Sequence, residues 1–244
     1  MAAFEVKTIV PLTMFGLDIS ITNSSLYMML VVAVICVIFW LGTANRDLIP
    51  TRLQLSLEKL FFFVGDIVKM NIKRSGVQVF PYVISLFLFI VIGNVVGLIP
   101  YAFSFTSQII VTLSMASLVF LASVAIGLKR SGIRYFRHFC PSGVPGYLAP
   151  ILVLIEIMSF LFRPVSLGIR LFANMLAGHI MINVMAGFAM TLAGASMAAS
   201  LAAVPVAVNV LLDIFKLIVC MLQAYVFVVL TCMYWAESLE EQAH

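Results

Sequence analysis

Apolar residues fill this chain in runs of twenty or more, and a few short polar stretches divide one run from the next. Because a helix rises 1.5 Å per residue, about 20 apolar residues match the hydrocarbon core of a bilayer. Residues 21–42 form the first such run and predict a transmembrane helix ending at the break TANRDLIPTR. In residues 51–72 the charges Arg52, Glu58, Lys59, Asp66 and Lys69 punctuate the apolar positions, the pattern of an amphipathic helix lying in the headgroup plane. Runs from about 81 to 101 and from 107 to 128, joined by a turn beginning LIPYAFSF, predict a transmembrane hairpin over residues 81–128. In its first arm Gly93 and Gly97 form a GxxxG, which lets neighbouring backbones approach closely.

After the loop KRSGIRYFRHFCPSGVPG the pattern changes. Residues 147–239 are apolar almost throughout, interrupted only by the small residues AGASMAAS at 193–200 and by Pro205. The run is too long for two upright spans, so it predicts two long, tilted helices forming a hairpin. The expected fold class is therefore an all-α integral membrane protein, with about five membrane-embedded helices and one interfacial amphipathic helix.

Composition agrees, with 64% hydrophobic and only 10% charged residues. The net charge of +4 fits loops facing an anionic leaflet better than a nucleic-acid footprint, since the basic residues lie between apolar runs. Cys36, Cys140, Cys220 and Cys232 have no metal-ligand spacing, and three of them lie in apolar runs as small hydrophobes. No metal or cofactor is expected. Residues 1–20 lack the core and cleavage pattern of a signal peptide and are expected to remain as an N-terminal segment.

Basic residues set the topology. Arg46, Arg52, Lys59, Lys69, Lys73 and Arg74 lie between the first two spans, and Lys129, Arg130, Arg134 and Arg137 follow the third. By the positive-inside rule both loops face the negative compartment, while the N-terminal segment, with Lys7 alone, and the turns near Phe103 and Gly194 face the positive one. Three basic residues, Arg163, Arg170 and Lys216, remain inside the last two helices.

An intramembrane arginine costs roughly 2.5 to 3.5 kcal/mol on insertion scales and marks a functional site by default. Glu156, Arg163 and Arg170 recur every seven residues, a slowly drifting stripe on one helix face, and Asn174 extends it by a turn. On the second long helix Asn209, Lys216 and Gln223 also recur every seven, with Asp213 a turn from Lys216. If Gln223 lies level with Arg170, then His179, about 13 Å further along its helix, falls level with Lys216 and Asp213, about half a turn away from the Arg170 face. Glu156 lies about 20 Å the other way, toward the negative side. Groups that exchange protons thus lie toward each surface, with a fixed charge between them. This suits two half-channels that must not join, since Arg170 keeps its proton and repels other cations. Arg163, beside Pro164, is expected to snorkel to the surface.

The runs FRPVSLGIRLFANMLAGHIMINVMAGF, LQAYVFVVLTCMYW and GNVVGLIPYAF, together with MFGLDISITNSSLYM near the start, resemble subunit a of the rotary F-type ATP synthase membrane sector, in the branch shared by mitochondria and related bacteria. The resemblance implies a proton-translocating stator subunit in a bacterial or mitochondrial inner membrane. Its partners would be a c-subunit ring, b-type peripheral-stalk subunits and other membrane-sector subunits. Arg170 matches the family's essential arginine, Asn174 and Gln223 the polar residues beside it, His179 a residue of the positive-side channel, and Glu156 the carboxylate of the opposite side. Asn94 and Asn209 are further candidates for channel lining. ATP would be made elsewhere, in keeping with the lack of a GxxxxGK[ST] phosphate loop.

Two positions depart from that pattern. Lys216 stands where the branch has a carboxylate partnering the histidine, and Gln108 where a histidine is common. The expectation is that Asp213 takes the carboxylate role and that Lys216 pairs with it or turns aside. A secondary transporter binding its ion at Arg170, Glu156 and Asp213 is the alternative, and it would require an internal repeat that the chain lacks. A passive scaffold would leave the cost of Arg170 unexplained.

Overall fold

A computed structural model describes residues 8–11, 13–14, 17–18, 20–44, 51–72, 76–99, 102–132, 149–194 and 203–240. Lys7, Arg46, Lys73, Arg74, Arg134, Arg137, Cys140 and the hairpin break at 195–200 lie outside the described residues. The described chain forms short strands β1 (Thr8–Val10), β2 (Thr13–Met14), β3 (Leu17–Asp18) and β4 (Ile21–Thr22), then helices α1 (Asn23–Ala44), α2 (Arg52–Asn71), α3 (Gly76–Leu98), α4 (Ile109–Ser131), α5 (Ala149–Gly194) and α6 (Ala203–Glu240). Among the described residues five helices are long and apolar enough to cross a membrane, and the sixth, α2, is amphipathic. The protein is thus an all-α membrane protein with a small N-terminal addition, in which β1 pairs antiparallel with β4 and β2 with β3. Ladders of two or three residues carry no alternating pattern long enough to read from sequence.

Local signals start the helices. The Thr22 hydroxyl caps the Ser25 N–H at 3.4 Å, and the Ser25 hydroxyl accepts the Thr22 N–H at 3.0 Å, a reciprocal cap that opens α1. Thr51 caps α2 through the Gln54 N–H. Pro205 falls in the first turn of α6, where its missing N–H is not needed. With 46 residues α5 rises about 69 Å and with 38 residues α6 rises about 57 Å, each well over a hydrocarbon core of about 30 Å.

The chain divides into two compact units. The first holds α1 to Trp40, α3 from Leu88, the 102–108 connection, α5 from Leu171 and α6 to Tyr225. At its centre the fully buried Phe105 lies 5.3 Å from the Phe89 ring. A methyl group on Gly93 would overlap the Phe105 ring, and one on Gly97 would meet Met175 and Ser104 at 2.7 Å. The GxxxG therefore receives side chains of the connection and of α5, not a second helix backbone. Asn94 Nδ2 donates to the Cys220 carbonyl at 3.4 Å, and Cys220 Sγ lies 3.6 Å from Met175 Sδ, so α6 is tied to both α3 and α5.

The second unit holds α2, α3 to Phe87, α4, α5 to Arg170 and α6 from Val226. Ring pairs Phe61–Phe80 and Phe63–Phe87 join α2 to α3. Trp235 Nε1 donates to the Val119 carbonyl at 3.3 Å, while the Ser123 hydroxyl donates to the Tyr234 carbonyl at 3.2 Å and sits 2.8 Å from the Ser238 hydroxyl. These bonds fasten the end of α6 to α4. The close helix approach is at Gly168, where an added methyl would stand 3.1 Å from both the Leu113 Cα and the Thr112 carbonyl oxygen. Backbone cannot step aside as a side chain can, so Gly168→Ala should cost about 1 to 3 kcal/mol through overpacking. We expect it to lower both the thermal stability of the assembled complex and its proton pumping. Gly187→Ala, with nothing within 4 Å of the added methyl, should change neither.

Candidate functional site

Helix α5 has an inward stripe of Leu167, Leu171 and Met175, each 1% exposed. Between and opposite these lie Ser166, Arg170, Ala173 and Ala177, all exposed. Arg170 thus projects from an outer face whose nearest neighbours along the helix are small. Among the described residues none hydrogen-bonds or ion-pairs with its guanidinium. Glu156 and Arg163 are half-buried, whereas Arg170 is exposed. That progression follows from the helix itself, because seven residues fall about 20° short of two turns and the stripe rotates outward as it climbs. Asn174, one turn beyond Arg170, is half-buried.

On α6 the stripe turns inward. Lys216 is 5% exposed, Gln223 6%, and Asn209 is half-buried, whereas Asp213 is exposed. Lys216 Nζ lies 3.3 Å from His179 Nδ1, at the level that the helical rise assigns to the two residues. The Lys216 Nζ faces the histidine on α5, and no ion pair with Asp213 is formed. A cavity of about 130 Å³ beside it is lined by Asn174, Gly178, Met181 and Lys216 among others. Asn94 Oδ1, Asn209 Oδ1 and Gln223 Nε2 are buried atoms without hydrogen-bond partners among the described residues. A buried polar atom left unpaired costs about 1 to 3 kcal/mol, which a bound water would offset. His179, Lys216, Asn174, Asn94, Asn209, Asp213 and Gln223 all belong to the first unit, and Glu156 and Arg170 to the second.

Arg163 has a partner that its sequence context did not suggest. It forms an ion pair with Glu237 of α6, and its guanidinium lies 5.9 Å from the Phe160 ring centroid and 5.5 Å from that of Tyr234. Sequence reading missed Glu237 and Tyr234, because no spacing rule links residues 74 positions apart on different helices. Among the described residues no group of three or more His, Cys, Asp or Glu side chains is placed to hold a metal ion.

The family described as ATP synthase A chain matches residues 25–236. The chain belongs to that family. Relatives named ATP synthase subunit a include one from Rhodospirillum rubrum, 44% identical over 236 residues that cover 97% of this chain and 96% of the relative. Another, from Afipia carboxidovorans, is 46% identical over 225 residues, covering 92% and 90% respectively. A third, from Beijerinckia indica, is 44% identical over 237 residues, covering 97% and 94%. As a member of the ATP synthase A chain family whose described residues include five helices long and apolar enough to cross a membrane, the protein is a multi-pass inner-membrane protein and a proton-translocating stator subunit of the membrane sector.

Proposed function

We propose that this chain provides two offset aqueous half-channels to the carboxylates of a c-subunit ring and that Arg170 separates them. The observation that carries the reading is the exposed guanidinium, unpaired among the described residues, on an outer face of α5 lined by Ser166, Ala173 and Ala177. A charge presented to lipid is costly, and a carboxylate arriving from another subunit would satisfy it. The small side chains beside Arg170 allow a partner helix to come close.

In this reading protons from the positive side reach the ring along the polar atoms of α3, α5 and α6, past Asn209, His179, Lys216, Asn94 and Gln223. A ring carboxylate that comes opposite Arg170 and Asn174 is held ionised, having given its proton to the negative-side path that contains Glu156. Arg170 cannot pass a proton across, so protons cross only by riding the ring. Torque is the motion of successive carboxylates past that charge. Asp213, exposed on α6 a turn from Lys216, would attract cations to the positive-side mouth. Peripheral-stalk subunits of the b type would hold the chain still against the ring.

Cross-linking tests the docking face. A cysteine at Ala177, on the outer side, should form a disulfide with a cysteine placed beside the ring carboxylate, and one at Met175, on the buried side, should not. Equal yields from both positions, or a yield from Met175 alone, would mean that another face of α5 meets the ring.

A further inference from the structure

We propose that Lys216 is itself a proton carrier of the positive-side half-channel, switching between ammonium and amine while His179 Nδ1 holds it in place. The proposal rests on the half-channel reading above and adds a role for the residue that departs from the family's carboxylate. At 3.3 Å one of the two nitrogens must accept a hydrogen bond from the other. An ammonium has three donors, a neutral amine has two and a lone pair, and either form can donate to an unprotonated Nδ1. The contact with His179 therefore survives when the charge on Lys216 changes. Arginine could not act in this way, because it keeps its proton.

The lysine is aimed by its surroundings. Its stem crosses α5 at Gly178, where a methyl group would lie 2.9 Å from both Cδ and Cε, so only glycine leaves the side chain its path. Lys216 and Asn174 are the polar side chains lining the adjacent cavity of about 130 Å³, which has room for water beside the lysine. Asn174 of the cavity lining lies one helical turn from Arg170 in the sequence of α5. In the transfer step one Nζ–H bond breaks and the proton passes to a cavity water, leaving the electron pair on nitrogen. That pair then bonds a proton delivered by water from the positive side. The titratable groups near Lys216 are His179 from α5 and, on α6, Asp213 and Cys220 within about a turn on either side. Helix α3 carries no charged side chain and contributes Asn94 to this seam.

Passive proton conduction in membrane vesicles containing the complex, stripped of its catalytic sector, distinguishes a carrier from a fixed charge. Lys216→Met removes the carrier and should slow conduction by about 100-fold, the scale of one positioned proton-transfer group. A fixed cationic barrier predicts the opposite, faster conduction. Lys216→Arg keeps the charge but not the exchangeable proton and should be as slow as Lys216→Met. Lys216→Glu and Lys216→His should restore conduction with a displaced dependence on positive-side pH, a signature that packing alone would not produce. Gly178→Ala, which retains both nitrogens but displaces the stem, should give an intermediate rate and a shifted pH profile. Wild-type conduction with an unchanged pH profile in Lys216→Arg, or faster conduction in Lys216→Met, overturns the proposal. Arg170→Ala in the same vesicles keeps the two readings apart. If Arg170→Ala alters conduction while Lys216→Arg does not, only the carrier role fails, and if neither does, the half-channel reading fails as well.

Discussion

Replacing Arg170 by alanine is expected to abolish ATP-driven proton pumping while the complex still assembles. The two halves of this result have separate causes. Arg170 is exposed and unpaired among the described residues, so removing it leaves no buried partner stranded and relieves roughly 2.5 to 3.5 kcal/mol of insertion cost. Chain levels should therefore hold or rise. On the proposed mechanism pumping should be lost because the guanidinium no longer draws the ring carboxylate into its ionised state. A charge pair about 4 Å apart at an effective dielectric of 20 is worth about 4 kcal/mol, so a rate depending on it falls by about a thousandfold. Arg170→Lys should recover little, since an ammonium lacks the planar fork and can give up its proton in an apolar setting. The check is acidification of inverted vesicles on ATP addition, normalised to complex content. Undiminished pumping in the alanine variant would make Arg170 structural.

The second large effect is expected at Glu156. It is half-buried on α5, fourteen residues and about 21 Å of helical rise from Arg170, and it is the single carboxylate within that helix. If it hands protons to the negative side, Glu156→Gln keeps the size and polarity of the side chain but removes the carrier. Synthesis of ATP under an imposed proton-motive force should then fall by about 100-fold, with assembly and the hydrolytic activity of the detached catalytic sector unchanged. Glu156→Asp should retain much of the rate, because the transferable proton remains and water can bridge the lost methylene. Equal rates for the glutamine variant and the wild type would remove Glu156 from the path.

Much of the architecture could be read from run length alone. Five helices follow from apolar stretches that match or exceed a bilayer, and α2 follows from its regular charges, because in lipid the backbone has few other ways to satisfy its hydrogen bonds. The level of His179 against Lys216 was also legible, since antiparallel helices translate residue number into height. Contacts that depend on rotation and on distant partners were not. The drift of the stripe from Glu156 to Arg170 could be computed, but its outward direction, and which side of α6 would carry Lys216 inward and leave Asp213 exposed, are decided by packing. Arg163 gave no sign of Glu237, which lies on another helix at the far end of the chain. Gly168 carried no motif, although it makes the close approach to α4, while the visible GxxxG of α3 makes room for Phe105, Ser104 and Met175 instead. Spacing reports the face a residue shares, and only the fold reports what meets that face.

The proposed role of Arg170, keeping two aqueous paths from joining, can be measured as the passive proton leak of membrane vesicles that lack the catalytic sector and in which the c-ring is locked to a neighbouring stator subunit by a cross-link, so that no proton can ride the ring. Wild-type vesicles should hold a proton gradient under these conditions, and Arg170→Ala vesicles should lose it, because water then connects the positive-side and negative-side groups past the vacated position. If the locked wild type and the locked variant are equally tight, the barrier between the two paths is made by something other than Arg170.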